Sequence, residues 1–300
     1  MASRRNGLHG NTTMTRWIDA HQHFWSLTTP GHEWPTAAEA PIHRDFGPDD
    51  LLSSLDGLDL AGSVLVQSQP TNADTDWMLA LAERTPLVRA VVGWVDLADP
   101  AAPDRIAALA ANPLLRGLRP MLQAIEDSDW LLGDALVPAI AAMQAAGLRL
   151  DALVQPRHLP MFARFVERWP DLPIVIDHAA KPFAATGTLD PWREHIATLA
   201  GLGVQCKLSG LRTEQAPGQP ADDLAPYVAH LVEAFGPRLM WGSDWPVVRL
   251  SGDDWRRWHD DALRMARAVG ADIERLFHGA AVDFYGLEGD GLAELPLRSP

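Results

Sequence analysis

The chain has a single cysteine, Cys206, so no intramolecular disulfide can form. That fits a reducing cytoplasm, with Cys206 a small buried strand residue. Long apolar runs are also missing. None approaches the ~18 residues of a membrane-spanning helix, so none is expected. Basic clusters are absent, and the formal net charge is −14. A chain this acidic has nothing to neutralise phosphates, which argues against a nucleic-acid partner, and no polybasic segment suggests an anionic membrane surface. The first 13 residues carry Arg4 and Arg5 but no apolar core, so no secretory signal is expected.

What the chain does have is a regular alternation. With 300 residues and 47% hydrophobic content, it can build one large α/β domain. Eight short apolar runs recur at 17–20, 63–66, 88–94, 115–118, 149–154, 174–176, 204–208 and 238–241. Helical patterns separate them at 49–60, 74–84, 103–111, 135–146, 159–169, 191–200, 224–235 and 255–268. Asp49, Asp74 and Asp190-Pro191 are start signals; Gly147 and Gly236 are stops. The strand runs are apolar on both faces, as parallel strands buried on both sides require. Eight strand–helix units predict a single-domain α/β fold, a (β/α)8 TIM barrel, over residues 15–288. Residues 1–14 read as a disordered N-terminal extension, with Met14 opening the structured part, and 289–300 as a C-terminal tail. The segment 217–226 reads as a loop. An open doubly wound sheet is the alternative, but the first strand–helix junction lacks a Gly-rich phosphate turn.

In a barrel, chemistry gathers at the C-terminal strand ends. Strand one ends Ile18-Asp19-Ala20-His21-Gln22-His23. In an extended chain His21 and His23 share a face, half of a metal site or an acid/base pair. The other ends supply Gln67; Trp94; Arg119; Gln155, with His158 beyond; Asp177, His178 and Lys181; Lys207; and Trp241, Asp244 and Trp245. Ionisable groups thus collect at one rim.

The segments I-D-A-H-Q-H-F-W (18–25), R-G-L-R (116–119), D-H-A-A-K-P (177–182), K-L-S-G-L (207–211) and W-G-S-D-W-P (241–246) resemble the amidohydrolase superfamily, and within it family 2 and its sugar-lactone hydrolases. The resemblance spans about 17–285. It implies that His21, His23, His178 and Asp244 match metal-ligand positions. Strand four departs with Arg119 and strand five with Gln155. Arginine stays protonated and has no lone pair to bridge two cations. The expectation is therefore no metal, or one divalent ion at His21, His23, His178 and Asp244, zinc before others.

The roles follow from chemistry. Asp244 takes a proton from water, while His21, His23 and His178 polarise a carbonyl or hold its oxyanion. Structural alternatives are a turn-capping aspartate and buried histidines satisfied by backbone. Arg119, Gln67, Gln155, Lys181, Lys207 and His158 are candidate hydrogen-bonding partners of a polyol. Trp25, Trp94 and Trp241 are candidate sugar-face walls. The leading expectation is an enzyme that hydrolyses a sugar lactone in carbohydrate catabolism, with 6-deoxy lactones favoured by the resemblance. A metal-dependent decarboxylase or hydrolase of a carboxylic acid, and a non-catalytic sugar-acid binder, are the competing readings. A homo-oligomer is compatible with the sequence.

Overall fold

A computed structural model describes residues 16–287. The N-terminal extension expected at 1–14 and the tail expected at 289–300 lie outside the described residues. Eight strands, β1 Trp17–Gln22, β2 Leu60–Val66, β3 Val88–Gly93, β4 Leu115–Leu118, β5 Arg149–Ala152, β6 Ile174–Ile176, β7 Gln205–Leu208 and β8 Leu239–Trp241, pair in chain order, and each pair is parallel. The intervening helices are α1 Pro48–Ser54, α2 Asn72–Ala82, α3 Ala102–Ala110, α4 Val137–Ala145, α5 Leu159–Arg168, α6 Trp192–Gly201, α7 Ala225–Phe235 and α8 Trp255–Ala268. This is the (β/α)8 barrel that the alternation predicts.

Three elements differ from expectation. α1 stops at Ser54 because Asp56 and Gly57 turn left-handed, with φ of 49° and 82°, and the chain is already strand at Leu60. The expected loop at 217–226 ends earlier, since Ala221–Leu224 form a 3₁₀ turn that runs into α7, with Pro226 in its first turn. A ninth helix, α9 Ala280–Tyr285, joins Ile18, Val64, Ala90, Val175 and Met240 in one buried cluster that plugs the barrel interior.

The barrel closes through the site itself. Gln22 bridges Trp245 in parallel, Asp244 N–H donates to His21 O (2.8 Å) and His23 N–H to Trp245 O (2.7 Å). At this seam a Cβ on Gly242 would stand 2.7 Å from His21 Cβ and 2.9 Å from its backbone nitrogen. Neither atom can swing aside. Gly242→Ala is therefore expected to lower stability by about 1–3 kcal/mol in urea unfolding, as overpacking does elsewhere. An unchanged midpoint would mean the seam yields.

Candidate active site at the strand mouths

β1 gains its chemistry from a bulge. Between the pairs Asp19↔Ser63 and Gln22↔Leu65 it carries one residue more than β2. In a regular strand Asp19 and His21 would share a face. The extra residue separates them. Asp19 reaches outward to accept Trp255 Nε1–H of α8 (2.7 Å), while His21 turns to Lys207 inside the barrel (3.1 Å). Asp19 also accepts from Ser243 N (2.9 Å) and His21 N (3.2 Å), tying β1 to the segment after β8. Burial pushes its carboxyl up to about 6 against these bonds.

Asp244 sits at φ 55°, a left-handed position that Asp tolerates better than most residues. Its Oδ1 faces three imidazoles: His23 Nε2 at 3.3 Å and His21 Nε2 and His178 Nε2 at 3.8 Å each. Burial alone would raise this carboxyl; His178 and His23, with Lys181 nearby, overcome it and hold it below its ordinary range. Burial holds His178 well below its usual value, reinforced by His21 and Lys181 and opposed by Asp244. The site thus pairs an ionised carboxylate with a neutral His178. His178 to Lys181 form four successive left-handed residues, φ 50–60°. Left-handed backbone costs roughly 1–2 kcal/mol per non-glycine residue. Something must pin the turn, and Trp192 Nε1–H donates to Ala179 O (2.7 Å). The His178 ring lies over Gly210, where a Cβ would come within 2.4 Å of Nδ1.

Beneath the cavity lies a sealed charge network. Lys207 Nζ contacts Asp151 Oδ2 at 2.6 Å, Asp177 Oδ1 at 3.0 Å and His21 Nδ1 at 3.1 Å. Tyr285 of α9 donates to Asp151 Oδ2 (2.7 Å), and Arg119 Nη1 lies 3.4 Å from Asp177 Oδ2. Burial favours protonation of both acids. At Asp177, Lys207, His21 and Arg119 win and hold the carboxyl well down; at Asp151 burial wins and raises it, despite Lys207.

The donor set fits one metal ion. His21, His23 and Asp244 place ligand atoms within 4.8 Å of one another, the one such group among the described residues. Their spacings of 3.2, 3.3 and 3.8 Å bracket the ~3.3 Å between ligand atoms of a tetrahedral zinc site. His23 Nδ1 lies 2.8 Å from Val66 O, which can only accept, so Nδ1 carries the hydrogen and Nε2 keeps a lone pair. His21 has two tautomers available. With Nδ1–H toward Asp177 (3.3 Å), Nε2 presents its lone pair, to Arg119 Nη1 at 3.4 Å or to a cation; with Lys207 donating to Nδ1, Nε2–H donates to His23. The same residues serve with and without an ion. His178 lies outside that three-residue group, with its Nε2 3.8 Å from Asp244 Oδ1, and also reaches the cavity wall.

A cavity of about 500 Å³ opens over this floor, and His23, His178, Asp244, Arg119 and Lys181 reach its wall. Other sequence-predicted contacts lie off the wall. Trp241 packs between β8 and α8, edge-on to Trp255 and stacked on Phe277. Trp25 is buried and donates to Arg44 O; Trp94 is anchored through its backbone to Thr75. Gln67 donates to Arg119 O, and its own carbonyl accepts the Arg119 guanidinium. His158 Nδ1 accepts from Gln155 N, and Gln155 Oε1 from Arg157. His21 and Lys207 lie fully buried below. The wall instead takes residues the motifs did not single out: Glu33 and Trp34, held by Gln69 (2.9 and 3.3 Å), and Met121, Gln123 and Glu214.

The profile of the amidohydrolase family matches residues 18–287. The chain belongs to that family. A Burkholderia ambifaria protein named L-fucono-1,5-lactonase is 47% identical over 283 residues, 92% of this chain and 97% of its own. A Burkholderia multivorans protein of the same name is 36% identical over 289 residues, 90% and 96%. A B. multivorans amidohydrolase crystallised with bound zinc aligns with a TM-score of 0.84 at 35% identity, covering 91% of this chain and 100% of that one. Arg119, just past β4, keeps its guanidinium on Asp177 and the Gln67 backbone carbonyl.

Proposed function

We propose that this amidohydrolase hydrolyses a sugar lactone, opening the cyclic ester of an aldonic acid. One observation carries the reading: a carboxylate held ionised among imidazoles, at the floor of a cavity walled by both polar and apolar side chains. The kinship with two proteins named L-fucono-1,5-lactonase supports it and points to a 6-deoxy aldonolactone.

All three imidazoles approach Asp244 Oδ1, so Oδ2 takes the proton of water as its oxygen attacks the lactone carbonyl. His178 Nδ1 lies 2.9 Å from Ser209 Oγ; in the tautomer where the Ser209 hydroxyl donates to Nδ1, the hydrogen sits on Nε2, and that is the form that acts as a donor in the site. His178 Nε2–H then hydrogen-bonds the oxygen on which charge develops. The tetrahedral intermediate collapses, the bond to the ring oxygen breaks, and that oxygen leaves with the proton from Asp244. An ion held by His21, His23 and Asp244 would polarise the carbonyl and acidify bound water.

The test is acid release by pH indicator across aldono-1,4- and 1,5-lactones near neutral pH. Turnover of at least one is expected; silence across the panel overturns the reading. For the metal, competition against a chromophoric chelator should show one zinc per chain, with affinity at least about tenfold weaker in His23→Ala. No zinc uptake by the wild type would leave oxyanion stabilisation to His178 alone.

A further inference from the structure

The cavity wall carries two permanent cations, Arg119 and Lys181, against three carboxylates, Glu33, Glu214 and Asp244. Arg119 is turned toward Asp177 and the Gln67 carbonyl. Lys181 is the cation left to meet a substrate at the mouth, and it too is engaged: its Nζ donates to Glu214 Oε1 at 2.7 Å, with both side chains about four-fifths buried, at 18% and 23% exposure. Glu214 closes the Leu211–Glu214 turn, which is fixed from behind by Arg212 Nε on Asp253 Oδ2 at 2.5 Å. The chain has only two lysines, Lys181 and Lys207, and each is held by carboxylate partners at this site.

We infer that Glu214 is a specificity-determining residue: by neutralising Lys181 it sets the mouth to accept uncharged lactones and to refuse lactones that carry a free carboxylate. The inference deepens the lactone reading and rests on it. A carboxylate entering the mouth meets two wall glutamates and an ammonium already bonded, so it loses water without gaining a charged donor. A hydroxyl or methyl at the same place loses far less. The device also acts after turnover, since the new acid faces the Asp244 carboxylate with no free cation to retain it.

The experiment compares kcat/KM for the neutral lactone best turned over with that of its counterpart bearing a carboxylate at C6, for example galactono- and galactaro-1,4-lactone. Wild type favours the neutral member. Glu214→Gln frees the Lys181 ammonium, and the ratio shifts toward the carboxylate by about tenfold or more, the worth of one charge-assisted hydrogen bond. In Lys181→Met/Glu214→Gln the shift disappears. A ratio in Glu214→Gln within about threefold of wild type overturns the inference, as does a shift that survives loss of Lys181. Should wild type turn over neither lactone, the proposed function falls separately. The calorimetric Kd ratio of the same two lactones, in the same three proteins, then decides the inference on the same scale.

Discussion

Asp244→Asn is expected to lower kcat/KM for the preferred lactone by about 10³-fold, within the 10²–10⁴ range of a lost general base. The substitution isolates the chemistry from the fold. Asn tolerates the left-handed φ of 55° as well as Asp does, and its amide still meets the surrounding imidazoles. What disappears is the ability to take a proton from water and return it to the ring oxygen. Because its surroundings hold the Asp244 carboxyl below its ordinary range, exchanging it for a neutral amide should leave the melting temperature unchanged or lower it slightly. Acid release and thermal unfolding, measured on the same preparation, check both halves. A residual rate within about tenfold of wild type would remove Asp244 from the proton-transfer step.

Lys207→Met has the largest expected effect on stability. Its ammonium holds Asp151, Asp177 and His21 together at full burial. Methionine fills the volume but leaves two carboxylates facing each other in a dry interior. Asp151 Oδ1 already lacks a hydrogen-bond partner. Breaking such a network costs about 3–5 kcal/mol, or roughly 10 °C in melting temperature for a domain of this size. The pH dependence gives a second readout. Lys207 lowers the pKa of both acids in the folded state, and its loss lets both rise. A carboxyl whose folded pKa rises gains stability as pH falls through that value. The deficit should therefore be greatest near neutrality and shrink on acidification. Lys207→Met/Asp151→Asn should recover part of it at pH 7. An equal melting temperature for wild type and Lys207→Met would refute the account.

The barrel was legible because apolar runs and helix signals alternate eight times, and because parallel strands all deliver their C-terminal ends to one rim. What a position along a strand does not say is which face it presents. Trp241 and Lys207 both belong to strand ends, yet one packs outward on α8 and the other inward under the site. The bulge in β1 was hidden for a related reason: it is a property of two strands paired, not of either alone. Glu33, Trp34 and Glu214 lie on loops, whose positions depend on what they fold back against. The left-handed run at His178–Lys181 carries no glycine to announce it. One signal was available. A chain with two lysines and two tyrosines places both lysines and Tyr285 in this site and its support, and rarity of that kind is visible without a structure.

The seam between Asp244 and His21 also bears on how the enzyme comes into being. The hydrogen bonds that close the barrel align the base with its histidines, and they join residues more than 220 positions apart. A ribosome-bound chain that has emerged only through β7 has its histidines but neither the base nor the seam that aligns them. Catalysis then has no partial form to pass through: it begins when the last strand meets the first. Recovered activity during refolding therefore reports ring closure itself, and two fragments cut at any loop should regain it only by rebuilding that seam.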